Sequence, residues 1–182
     1  MHGLWYALAL SLPFVMGIPG VALAIPLHGV TSEQGGILSL TFVGLLSVVV
    51  APVGEELGWR GFALPRLQRR LGPAWASVVL GIAWGIWHLP FFLLPPSSEA
   101  MPPFILFLGS CVAETFIFTW LFNRTGGSVF ICMVYHAATN LALKTIPLFP
   151  HTQGTSIQPS LLFTGGEGVV ALAIFLVPRV RR

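Results

Sequence analysis

Apolar residues run through this chain in long blocks, separated by short clusters of Gly, Pro, Ser and charged side chains. Residues 1–32, 34–54, 71–98 and 145–166 contain no Asp, Glu, Lys or Arg. A helix that crosses a bilayer needs about 20 mostly apolar residues, and each block supplies enough. The pattern predicts about six spans, over residues 4–27, 36–64, 73–94, 101–122, 128–146 and 161–177. Breakers mark the connections: Thr31 to Gly36, Gly72-Pro73, Pro95 to Ser98, Asn123 to Gly127 and His151 to Ser160. These are too short to link separate domains. The predicted architecture is therefore one all-α domain over residues 1–182, a polytopic bundle of transmembrane helices.

Composition makes the membrane assignment firm. Of 182 residues, 55% are apolar and only 8% charged, against about 25% charged in an average soluble domain. Too few polar groups are present to clothe a soluble globule, and disorder would require low hydrophobicity. With both termini cytoplasmic, the inner ends carry Arg66, Arg69, Arg70, Arg124, Arg179, Arg181 and Arg182, and the outer ends only Lys144. That asymmetry follows the positive-inside rule and predicts an integral protein of a bacterial-type plasma membrane, in contact with lipid. Topology accounts for the net charge of +3, so no nucleic-acid partner is implied. Val21-Ala22-Leu23-Ala24 resembles a signal-peptidase site, but the first 32 residues lack a positive n-region, so the segment reads as a retained helix. Cys111 and Cys132 fall inside apolar segments and do not read as a disulfide or metal pair.

Charges inside a bilayer cost about 2.5–3.5 kcal/mol each even on the lenient insertion scale, so Glu55, Glu56, Arg60, Glu114 and Glu167 each need a reason. Glu167, flanked by glycines, reads first as a packing or interface residue. Glu114 fits structural pairing and cavity lining equally well. Glu56 and Arg60 stand at i and i+4 with the acid first, the favoured order for an ion pair within a helix. Adjacent residues point about 100° apart, which leaves Glu55 facing another way without a partner, as a general base requires. His88 follows the Trp84-Gly85-Ile86-Trp87 run, and His136 shares a helix face with Asn140. At 1.5 Å per residue from the basic ends, Glu55, His88 and Asn140 fall at depths of about 21, 22 and 18 Å. One polar layer can hold them all.

Peptide hydrolysis within a bilayer needs an activated water, a proton donor to the leaving amine and a stabiliser for the oxyanion. Glu55 suits the first two tasks, His88 can orient the water, and His136 with Asn140 can face the oxyanion. An aspartyl mechanism is excluded because the chain has no Asp. No Gly-x-Ser-x-Gly presents a serine, and no His-Glu-x-x-His forms a zinc helix. The favoured chemistry needs no cofactor, while Glu55, His88 and His136 could alternatively hold Zn²⁺ with an open position.

Glu55-Glu56-x-x-x-Arg60, Trp84-x-x-x-His88 and His136-x-x-x-Asn140 occur in the order, and on the successive helices, seen in the CPBP (ABI) family of CAAX proteases and bacteriocin-processing enzymes. The run Phe118 to Ser128 also resembles bacterial members, and the likeness covers about residues 50–145. The resemblance implies an intramembrane endopeptidase acting on a membrane-associated peptide or lipidated protein. It implies Glu55 as the catalytic glutamate, His88 as its helper, His136 and Asn140 as the oxyanion site, and Glu56, Arg60 and Trp84 as structural support. The family has been described both as metalloproteases and as glutamate-type proteases. Many members have Phe where this chain has Trp84, and the N-terminal region is short beside eight-helix relatives. A non-proteolytic alternative, an ion- or proton-coupled transporter or a scaffold, predicts acids strung along a path open to both faces. Proteolysis predicts one clustered pocket.

Overall fold

A computed structural model describes residues 3–28, 42–94, 102–145 and 158–176. The polar runs 31–36, 95–98 and 151–157, and Arg179, Arg181 and Arg182, lie outside the described residues. The chain is all-helical: α1 (Gly3–His28), α2 (Phe42–Glu56), a π-helical segment (Leu57–Ala63), α3 (Leu64–Trp87), α4 (Leu89–Leu93), α5 (Phe104–Arg124), α6 (Val129–Thr145) and α7 (Gln158–Leu176). No strand occurs among the described residues. The helices match the predicted spans within a few residues, apart from the second. That one runs on past residue 64 to a sharp turn at Gly72, whose φ of 74° no side chain with a Cβ adopts easily, followed by Pro73.

Helix neighbours form a closed circuit, α2 against α6, α6 against α1, α1 against α7, α7 against α5 and α5 against α3, with the π segment joining α3 back to α2. α1 is woven into this circuit. Trp5 meets Trp120 edge-on at 5.4 Å, and Ala9 and Met16 are buried in the common core. Charged side chains are buried inside the molecule, while many large apolar ones face outward. Glu56 and Arg60 have no exposed surface and Glu114 and Glu167 almost none, whereas Leu4, Val49, Trp75, Ile105, Leu172 and Phe175 stand open. An outer surface of that kind needs lipid rather than water around it. Among the described residues α5 alone is long and apolar enough to cross a bilayer by itself. Gly3–Ile18, Val129–Leu143 and Leu161–Phe175 are shorter apolar helices.

The small-residue pairs Gly54-x-x-x-Gly58 and Gly81-x-x-x-Gly85 suggest that the second and third segments touch through them. They do not. Nothing lies within 4 Å of a Cβ built on Gly54 or Gly58. Gly81 and Gly85 serve α5 instead: a Cβ on Gly81 would stand 2.6 Å from the Val112 Cα and 2.9 Å from the Cys111 carbonyl oxygen. Backbone cannot yield as a side chain can, so Gly81→Ala should lower stability by about 1–3 kcal/mol. Gly54→Ala should cost nothing. Thermal unfolding in detergent or nanodiscs compares the two, and equal melting temperatures would show that the α3–α5 contact is not made.

Candidate active site

The last residue of α2, Glu56, and the π-helical Arg60 form the buried knot of the molecule. Arg60 Nη1 donates to Glu56 Oε1 at 2.8 Å, and its Nη2 donates to Thr115 Oγ1 at 3.3 Å. The guanidinium lies 3.6 Å from the Phe118 ring centroid and 4.9 Å from that of Trp84, so aromatic faces from α5 and α3 close around it. The predicted pair is formed, although the helix is widened to π geometry there. Such local widening is frequent at functional sites. The same Glu56 oxygen also receives His136 Nδ1, at 2.8 Å. Because an ionised carboxylate only accepts, Nδ1 carries the proton and Nε2 is the ring nitrogen left for other work. Glu56 thus supports His136 as well as Arg60.

Glu55 is not the solitary carboxyl that the sequence suggests. Trp84 Nε1 donates to its Oε2 at 2.7 Å, so α3 reaches across to hold it. Phenylalanine at position 84 could not make this bond. Trp84 also lies edge-on to both histidine rings, 5.6 Å from His88 and 5.5 Å from His136. His88, at the end of α3, gives its Nδ1 to the Trp84 carbonyl oxygen at 2.9 Å. A carbonyl only accepts, so His88 Nδ1 is the donor and Nε2 keeps a lone pair. His136 is buried, and His88 and Glu55 are half-buried.

Trp84, His88, His136 and Asn140 line one cavity of about 170 Å³. Glu55 does not line it but is tied to its wall through the Trp84 indole. Glu114 and Glu167 do line it, with the hydroxyl-bearing Ser110, Thr139 and Thr164. Glu167 is thus both buried among the helices and part of this wall. As for a metal, no three His, Cys, Asp or Glu side chains among the described residues stand together as a holding set. Glu55, His88 and His136 therefore do not assemble as three ligands here.

Comparison with known proteins identifies the family. Residues 37–142 match the family described as type II CAAX prenyl endopeptidase, Rce1-like, a stretch that contains Glu55, His88, His136 and Asn140. The chain is also 31% identical over 167 residues to CAAX prenyl protease 2 of Methanococcus maripaludis, an alignment covering 86% of this chain and 59% of that relative. The chain therefore spans less than two thirds of the relative's length. On the strength of the family match, this protein belongs to the Rce1-like CAAX prenyl endopeptidases.

Proposed function

We propose that the chain is an intramembrane endopeptidase in which Glu55 activates water to hydrolyse a peptide bond of a membrane-associated peptide or lipidated protein. The observation that carries this reading is the convergence of His88, His136 and Asn140 on one cavity, whose wall residue Trp84 holds the Glu55 carboxylate. Glu55 takes a proton from water as the water oxygen attacks the carbonyl carbon. Asn140 and His136 face the oxyanion that forms, and His88 Nε2 accepts a hydrogen bond that orients the water. As the C–N bond breaks, the proton on Glu55 passes to the leaving amine. No cofactor is needed in this sequence. His88, His136 and Asn140 gathered at one cavity favour proteolysis over the transporter alternative, which calls for acids along a path through the bilayer.

The family is membrane-embedded. We place about six segments in the bilayer, with both termini on the cytoplasmic side of a bacterial-type plasma membrane. The hydrogen bond from Asn123 Nδ2 to Gln68 Oε1 at 2.8 Å supports this by bringing the basic ends of α3 and α5 to one side. The deciding experiment is incubation of the purified protein in nanodiscs with a peptide panel that includes prenylated and unprenylated C-termini. Mass spectrometry should find a single internal cut. Intact peptides throughout would remove the reading.

Trp84 gives a finer test of the same scheme. Trp84→Phe keeps a ring against both histidines but leaves Glu55 Oε2 without its donor. A hydrogen bond of this kind is worth about 0.5–1.5 kcal/mol. Turnover should fall by up to about tenfold, with KM little changed. A rise in KM at constant turnover would instead give Trp84 a substrate-binding role.

A further inference from the structure

Glu114 and Glu167 are not used by the proposed hydrolysis, yet they occupy its cavity. Glu167 is 1% exposed, and its Oε2 is buried with no hydrogen-bond partner among the described residues. Glu114, 5% exposed, accepts a hydrogen bond from the Tyr135 hydroxyl at 3.4 Å. The two carboxyls line the same cavity. Among the described residues no Lys or Arg lines the cavity; its other ionisable residues are His88, His136 and Cys111, and His136 Nδ1 is already committed to Glu56. Arg60 is turned toward Glu56 and Thr115. Buried acids need either protons or a cation, and an orphaned carboxylate oxygen marks where a donor is missing.

None of the described residues supplies that donor. Ca²⁺ would take six to eight oxygen ligands, and Mg²⁺ a near-ideal octahedron, more than two carboxyls and a few hydroxyls readily supply. An alkylammonium carries three donors and a guanidinium five, and either can bridge two carboxylates. Ser110 and Thr164, hydrogen-bonded to each other at 2.8 Å beside the cavity, add polar wall without adding charge.

We infer that Glu114 and Glu167 form a subsite for a basic side chain, lysine or arginine, of the peptide whose bond is cut in the same cavity. This rests on the proteolytic reading above and deepens it by naming a substrate feature. The test separates the two ideas by measuring binding as well as cleavage. Peptides identical except for lysine or norleucine, walked through the positions flanking the cut, are titrated against the full-length Glu55→Gln protein in nanodiscs. At one position lysine should bind about tenfold or more tighter than norleucine, equivalent to about 1.4 kcal/mol. Adding Glu167→Gln should bring that ratio close to one, with thermal unfolding showing that the variant is folded. Glu114→Gln should reduce the ratio in the same direction.

A ratio near one at every position, or one that survives Glu167→Gln, would overturn the subsite. Tight binding of Ca²⁺ or K⁺ alone that Glu167→Gln removes would assign the acids to an inorganic cation, and would also overturn it. Lysine-selective binding with no cleavage by the wild-type protein keeps the subsite and removes the protease. Cleavage without selectivity does the reverse.

Discussion

Glu55→Gln should abolish cleavage, a loss of about 10²–10⁴ in rate for a removed general base, while the unfolding temperature stays unchanged. The separation of the two effects comes from local geometry. Glutamine matches glutamate in shape, and its amide oxygen still accepts the Trp84 Nε1 hydrogen bond that the carboxylate receives at 2.7 Å. Its oxygen cannot hold a proton taken from water. Glu56 is badly placed to stand in, because it is fully buried, does not line the cavity, and has its Oε1 held by Arg60 and His136. Turnover within tenfold of wild type would move the proton acceptor elsewhere. On the same scheme activity survives exhaustive chelation. Loss with a chelator and recovery with added Zn²⁺ would instead make Glu55 and the histidines metal ligands.

Arg60→Ala should be the most damaging single change to stability, by about 3–5 kcal/mol, the usual cost of stripping one partner from a buried ion pair. The variant leaves Glu56 charged at zero exposure and empties the space over the Phe118 ring. It also frees the carboxylate that orients His136, so folding and activity should fail together. Arg60→Lys keeps the charge but gives up the planar stack and the second contact to Thr115, and should lose less. Folded yield and thermal unfolding of the two variants check the order. A stable Arg60→Ala protein would show that the knot is not structural.

Most of the helix layout was legible because charge-free blocks and Gly/Pro breakers are strong local signals. Gly72-Pro73 marks a real turn. Glu56–Arg60 was legible too, since i and i+4 spacing survives modest changes in helix geometry. What escaped were the contacts between segments distant in sequence. Nothing in residues 81–85 says whether their glycines meet α2 or α5, because small residues advertise close approach without naming the partner. Trp84 looked like packing, and its indole N–H acquires meaning only when Glu55 is placed opposite. Glu114 and Glu167 stand out in the sequence as acids in apolar helices, but the 52 residues between them hide that they share a wall.

The π segment between α2 and α3 carries a consequence for how this chain tolerates length changes. A π turn holds one residue more than an α turn over the same rise, so residues 57–63 act as a register shift wound into an otherwise continuous rod. Removing one residue there, for instance Gly58, whose Cβ position is open space, would let the rod close into plain α geometry. Because the wider turn absorbs the extra residue, the two sides would then keep nearly the same phase. Glu55 and Glu56 sit before the segment, while Arg60 and the whole of α3 come within or after it. A single codon lost here would therefore leave the two halves of the site in register, whereas one lost from the plain α turns between Pro73 and Trp84 would swing Trp84 and His88 by about 100° against Glu55.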